Sequence, residues 1–164
     1  MIMRTPAKAL RGIAAAAAIV ATFASTATAR QQDGLGVGVI VGEPTGISLK
    51  KWTDETHAVD AGLAFSLADD DSFQLHADYL FHQTESSLNP PELKGSAPWY
   101  YGIGGRLLFN DNDTHFGIRV PVGIDYLFAE SPLDFFAEVA PVLDIAPDVE
   151  LDLNAAIGLR YFFQ

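Results

Sequence analysis

His76, Asp78 and His82 come nearest, by residue type and spacing, to a chemical site in this chain. Residues two apart share one face of an extended strand, so all three would project together, as metal ligands or an acid/base pair would. A working site also needs convergent ligands or a nucleophile. The chain has no cysteine, which removes thiolate nucleophiles, disulfides and cysteine-based zinc sites, and it shows no Ser-His-acid pattern. The three residues therefore read as polar groups on one strand face, and no catalytic residue, metal or cofactor is assigned. Asp69-Asp70-Asp71 and Asp111-Asn112-Asp113 offer oxygen ligands for Ca²⁺ or Mg²⁺. Neither continues into the glycine and later glutamate of an EF-hand loop, so both read as solvated, turn-forming acids.

The elements that must position these residues are eight alternating segments separated by turn-forming clusters. They run 35–41, 46–52, 58–67, 73–82, 99–110, 116–128, 133–144 and 149–164. The first two are joined through Gly42-Glu43-Pro44-Thr45 as a tight hairpin. Most connections are short, so consecutive strands should pair antiparallel. The longest connection is 83–98. Pro121 and Pro141 each remove a ladder hydrogen bond, and a local bulge is expected at both.

One face of every segment is apolar. Val59, Ala61, Leu63 and Phe65 line it in the third, Phe116, Ile118, Val120 and Val122 in the sixth, and Leu151, Leu153, Ile157 and Leu159 in the last. Lys51, at a strand end, is the charge found on that face. The opposite face carries glycines, among them Gly36, Gly38, Gly62, Gly102, Gly104, Gly117, Gly123 and Gly158, with Asp60, His76, Asp78, Arg106, Arg119, Asp125, Glu138 and Arg160. Glycine weakens a strand and adds nothing to a solvated surface. Inside a narrow lumen it makes room for large charged side chains. The pattern predicts an all-β, eight-stranded antiparallel up-and-down barrel, apolar outside, with Asp60, Asp78, Arg106, Arg119, Asp125, Glu138 and Arg160 forming ion pairs that plug the lumen. Arg106, Arg119 and Glu138 are expected at comparable heights, and the other four nearer one end. Tyr79, Phe81, Trp99, Tyr101, Tyr126, Phe128, Tyr161 and Phe163 should form one aromatic girdle at that end.

Arg4, Lys8 and Arg11 precede an apolar run over 12–23, and Ala27-Thr28-Ala29 supplies a small-x-small cleavage site. Residues 1–29 are thus expected to be a cleaved signal peptide, leaving 30–164 as a single barrel domain. Without it, seven basic residues face 21 acidic ones, a formal charge of −14. Such a chain has no basic surface for nucleic acid phosphates. After the leader there is no charge-free apolar run long enough for a membrane helix, so a membrane-resident form must be a barrel.

On these patterns the chain resembles the small eight-stranded outer-membrane barrels of the kind formed by the OmpA transmembrane domain and OmpX. Gly42-Glu43-Pro44-Thr45-Gly46, Tyr101-Gly102-Ile103-Gly104-Gly105-Arg106 and Gly117-Ile118-Arg119-Val120-Pro121-Val122-Gly123 are similar to a bacterial family of outer-membrane proteins of unassigned function. Gly158, Leu159, Tyr161 and Phe163 resemble the terminal signal read by the barrel-assembly machinery, with Gln164 following the last aromatic residue. The resemblance implies the outer membrane of a Gram-negative bacterium, contact with outer-membrane lipid, a monomer, and a structural or interaction role without enzymatic activity. Acidic outer turns bridged by divalent cations to lipopolysaccharide are a further expectation. The alternatives are a soluble periplasmic lipocalin-like barrel around an apolar ligand, a narrow channel, and a lipid-modifying enzyme.

Overall fold

A computed structural model describes residues 34–65, 72–84, 94–110 and 113–163. The expected leader, Asp69-Asp70-Asp71, Asp111-Asn112 and Gln164 lie outside the described residues. Ten strands follow in order: β1 Leu35–Glu43, β2 Thr45–Trp52, β3 His57–Phe65, β4 Phe73–Gln83, β5 Gly95–Ser96, β6 Trp99–Phe109, β7 Thr114–Arg119, β8 Val122–Phe128, β9 Leu133–Ala146 and β10 Glu150–Phe163. All pairings are antiparallel, and β10 pairs with β1 from Leu35↔Phe163 to Glu43↔Ala155, closing the sheet on itself.

The ten segments make a ring of eight staves. Gly95↔Phe128 and Ser96↔Leu127 continue the register of Trp99↔Ile124, so β5 and β6 are one stave interrupted at Ala97-Pro98. Likewise Arg119↔Val142 and Val122↔Val139 share a register, so β7 and β8 are one stave interrupted at Val120-Pro121. This corrects the expected extent of the long connection, whose residues 95–98 continue the stave toward the barrel rim.

The expected bulges at Pro121 and Pro141 are also corrected. Val120 N–H donates to Pro141 C=O at 3.0 Å, and Gly102 N–H donates to Pro121 C=O at 2.8 Å. In an antiparallel ladder such residues exchange two bonds. Each proline therefore deletes one bond and keeps the other, and the register passes unshifted. Among the described residues the register shift lies between Phe116 and Gly117, opposite Ile145.

Following the ladder once round the ring gives the stagger. Leu35 is level with Lys51, then Val59, Tyr79, Ile103, Val120, Pro141 and Leu153. Extending the Glu43↔Ala155 pairing by two residues puts Leu153 level with position 45, ten residues from the start. An eight-stranded barrel with that stagger has strands tilted by about 40°. Its near end carries Leu35, Phe163 and the 53–56 turn. The far end carries Glu43, Phe65, Phe109 and Ala146, the last residues of β1, β3, β6 and β9.

Polarity is apolar outward and polar inward. Val41, Ile47, Ile103, Ile118, Val139 and Ile157 are among the exposed large side chains, whereas Lys50, Asp60, Asp78, Arg106, Arg119, Asp125 and Arg160 are buried. All eight residues of the expected girdle sit outside near the near end, where Phe81 stacks on Tyr101 with centroids 5.3 Å apart. A second aromatic group, not foreseen, lies at the far end on three neighbouring staves: Phe73 is 5.5 Å from Phe65 and 6.0 Å from Phe109.

Turn chemistry explains the ends. Gly42 has φ +142°, a region closed to most side chains, and its N–H donates to Thr45 Oγ1 at 3.2 Å while that hydroxyl donates back to Gly42 C=O at 2.8 Å. At the near end Asp54 Oδ1 accepts from Thr56 N–H at 2.8 Å and His57 N–H at 2.9 Å, an Asx-type turn. The Thr56 N–H, more than any other neighbour, holds the Asp54 carboxyl down at about 2.

Candidate functional site: the charged barrel interior

Period-two alternation aims the even residues of β1 to β6, β9 and β10, and the odd residues of the β7–β8 stave, at the barrel axis. Small residues decide what fits there. A Cβ on Gly36 would lie 2.7 Å from the Phe162 ring, and one on Gly62 would lie 2.2 Å from His76. The strand glycines thus provide room for large side chains from neighbouring staves, aromatic rings as well as charged groups. Their contents form an apolar stopper and three charged tiers.

The stopper lies at the near end. Trp52, Ala58, Leu80, Tyr100, Leu127 and Phe162 pack together and are buried. These inward aromatic residues were missed by the sequence reading, although their even numbers place them on the glycine face.

The first tier lies directly above it. Lys50 is ion-paired with Asp125 and lies 3.6 Å from Asp134. Arg160 Nη2 reaches Asp125 and Asp134, each at 3.1 Å. His82 Nε2 is 2.7 Å from Asp125 Oδ2 and 3.1 Å from Lys50 Nζ. Both cations also lie over aromatic faces, Lys50 Nζ 4.6 Å from the Trp52 centroid and the Arg160 guanidinium carbon 4.0 Å from that of Phe136.

In the middle tier Arg119 donates from Nε to Asp78 Oδ2 at 2.7 Å and from Nη1 to Asn154 Oδ1 at 2.9 Å, and is ion-paired with Glu138. Tyr100 Oη donates to Glu138 Oε2 at 2.8 Å, tying the stopper to this tier. At the far end Arg106 is paired with Asp144 and donates from Nη1 to Asp152 Oδ2 at 2.5 Å.

The seven residues expected to form the network all line the lumen, in a different grouping from the one expected. Arg119 and Glu138 meet; Arg106 stands in a separate tier with Asp144 and Asp152. Asp78 belongs with Arg119, and only Asp125 and Arg160 join the near tier. Asp60 reaches Arg160 at 3.9 Å, the margin of an ion pair. Lys50, Asp134, Asp144 and Asn154 were overlooked, and strand parity alone points each of them inward. His76 and His82 occupy different tiers, so they do not converge; no group of three or more metal-ligating side chains is present among the described residues. Of the terminal signal, Gly158 faces inward against the Phe136 ring, while Leu159, Tyr161 and Phe163 face outward.

The interior and its wall define a class, the closed eight-stranded antiparallel barrel with a polar interior. Among solved structures, the chain is similar to the N-terminal β-barrel domain of Pseudomonas aeruginosa OprF. The two align with a TM-score of 0.54 and 12% identity over 80% of this chain and 98% of that one. The likeness is one of fold. No family model matches the chain, and no curated protein matches it.

Proposed function

We propose that this protein is an integral outer-membrane barrel of a Gram-negative envelope, a monomer set in outer-membrane lipid by the barrel-assembly machinery, with a structural or interaction role and a lumen plugged by its own ion pairs. The carrying observation is the polarity of the wall: exposed Ile, Val, Leu and Phe outside, and Lys50, Arg106, Arg119 and Arg160 buried inside. In water that arrangement is upside down, because it exposes a continuous apolar belt. In a bilayer it buries the belt in hydrocarbon and leaves no unpaired sheet edge. Aromatic groups at both ends fit the two membrane interfaces.

This polarity weighs against the soluble alternative, in which an apolar lumen would hold a ligand. The stopper and the tiers favour a plug over a channel. The reading is non-enzymatic, since Arg106, Arg119 and Arg160 are each held by carboxylates of the lumen. Its first test is the migration of washed membranes on a denaturing gel, boiled against unboiled. A heat-dependent shift is expected; recovery of the mature protein in the soluble periplasmic fraction would overturn the assignment.

A further inference from the structure

The middle tier is short of positive charge. Asp60 and Asp78 are direct cross-strand partners on β3 and β4, and like charges placed opposite one another repel. Glu138 adds a third carboxylate. The tier's one guanidinium, Arg119, is spent on Asp78, Glu138 and Asn154. Asp60 is only 7% exposed, its Oδ1 has no hydrogen-bond partner, and its Oδ2 stands 3.9 Å from an Arg160 already held by Asp125 and Asp134. A buried carboxylate left in this condition is costly.

At the same height the lumen holds a cavity of about 10 Å³, lined by Asp60, Glu138, Ser48, Asn154, His76 and Arg119 among others. That volume admits one body the size of a water molecule. Its wall carries hard oxygens from three carboxylates, Asp60, Glu138 and Glu43, with the Ser48 hydroxyl and the Asn154 amide, which suit a hard cation. Mg²⁺ retains several waters, for which the chamber has no space, and the Arg119 guanidinium in the same wall disfavours a second positive charge on the ion.

We propose that the mid-barrel cavity is a binding site for one dehydrated monovalent cation of the Na⁺ type, with Asp60 as its charged ligand. The ion supplies part of the positive charge that the tier lacks, at the carboxylate of Asp60. The site rests on the closed barrel and its contents, not on the barrel's location, so it stands or falls separately from the assignment above.

The test uses the full-length protein refolded in detergent, with a heat-dependent gel shift as proof of folding. Urea midpoints are compared in NaCl and choline chloride at equal ionic strength across pH 6–9, and ²³Na line widths are read on the same samples. The expected result is a midpoint that rises and saturates with Na⁺, accompanied by ²³Na broadening. Asp60→Asn should fold in choline and lose both effects, whereas Asp134→Asn, outside the cavity, should keep the Na⁺ response. Two results would overturn the proposal: midpoints that are the same in Na⁺ and choline, or a midpoint set by pH alone and freed from pH by Asp60→Asn, which would mean that Asp60 carries a proton instead of facing an ion.

Discussion

Arg119 on β7 and Asp78 on β4 are joined across the stave that separates them, Nε to Oδ2 at 2.7 Å. The bond acts as a strut inside the cylinder, since its partners share no ladder hydrogen bond. Arg119→Ala would leave Asp78 and Glu138 buried without their cation, a loss of about 3–5 kcal/mol. A fall in the urea midpoint of the refolded barrel is expected, and an unchanged midpoint would refute the network.

Gly36 and Phe162 form a small-to-large pair on adjoining staves. Gly36→Ala brings a methyl group to within 2.7 Å of the ring, and overpacking of this kind costs about 1–3 kcal/mol. Phe162→Leu alone should also destabilise, by opening a cavity. Together the two changes should cost less than their sum, with a favourable coupling of about 0.5–3 kcal/mol. Strict additivity in a double-mutant cycle would show that the glycine is not there for the ring.

The stopper predicts the electrical behaviour. In planar bilayers the wild-type protein should show no stable conductance steps. Removing two of its rings, as in Trp52→Ala with Tyr100→Ala, should produce discrete openings, provided the double variant retains the heat-dependent gel shift. Equal steady conductance in both proteins would replace the plug with a channel.

Asp54 gives a pH signature outside the barrel wall. Its carboxyl is held at about 2, against 3.8 for the free group. A group whose folded value is depressed adds stability that is fully present above the free value and is lost as pH falls through the folded one. The 53–56 turn should therefore be tightest above about pH 4 and loosen toward pH 2. Titration of the Asp54 carboxyl carbon by NMR should show the low midpoint, and a midpoint near 3.8 would remove the turn's claim on the side chain.

Much of this architecture was legible in the residues. Strict alternation gave the eight staves, and glycine facing charge gave the direction of the wall. The cross-lumen pairings were not, because which residues share a height depends on the stagger of ten, and stagger is set by registers that no single strand encodes. Lys50 escaped notice beside Lys51, although adjacent strand residues must face opposite ways. Trp52, Tyr100, Phe136 and Phe162 were hidden by composition, since aromatic residues near stave ends look like belt residues until parity is applied. Pro121 and Pro141 do not raise the bulges expected of them, because losing one bond of an exchanged pair leaves the register intact.

The closed ladder has one more consequence. Eight staves joined with a fixed stagger leave the wall no way to widen, so the interior is a vessel of constant capacity. Change inside it must be an exchange: a ring enlarged on one stave needs a residue reduced on the next, and a charge gained needs a partner or an ion. Outward positions answer only to the medium around them and can vary one at a time. Divergence in such a protein should proceed singly on its outer face and in matched steps within.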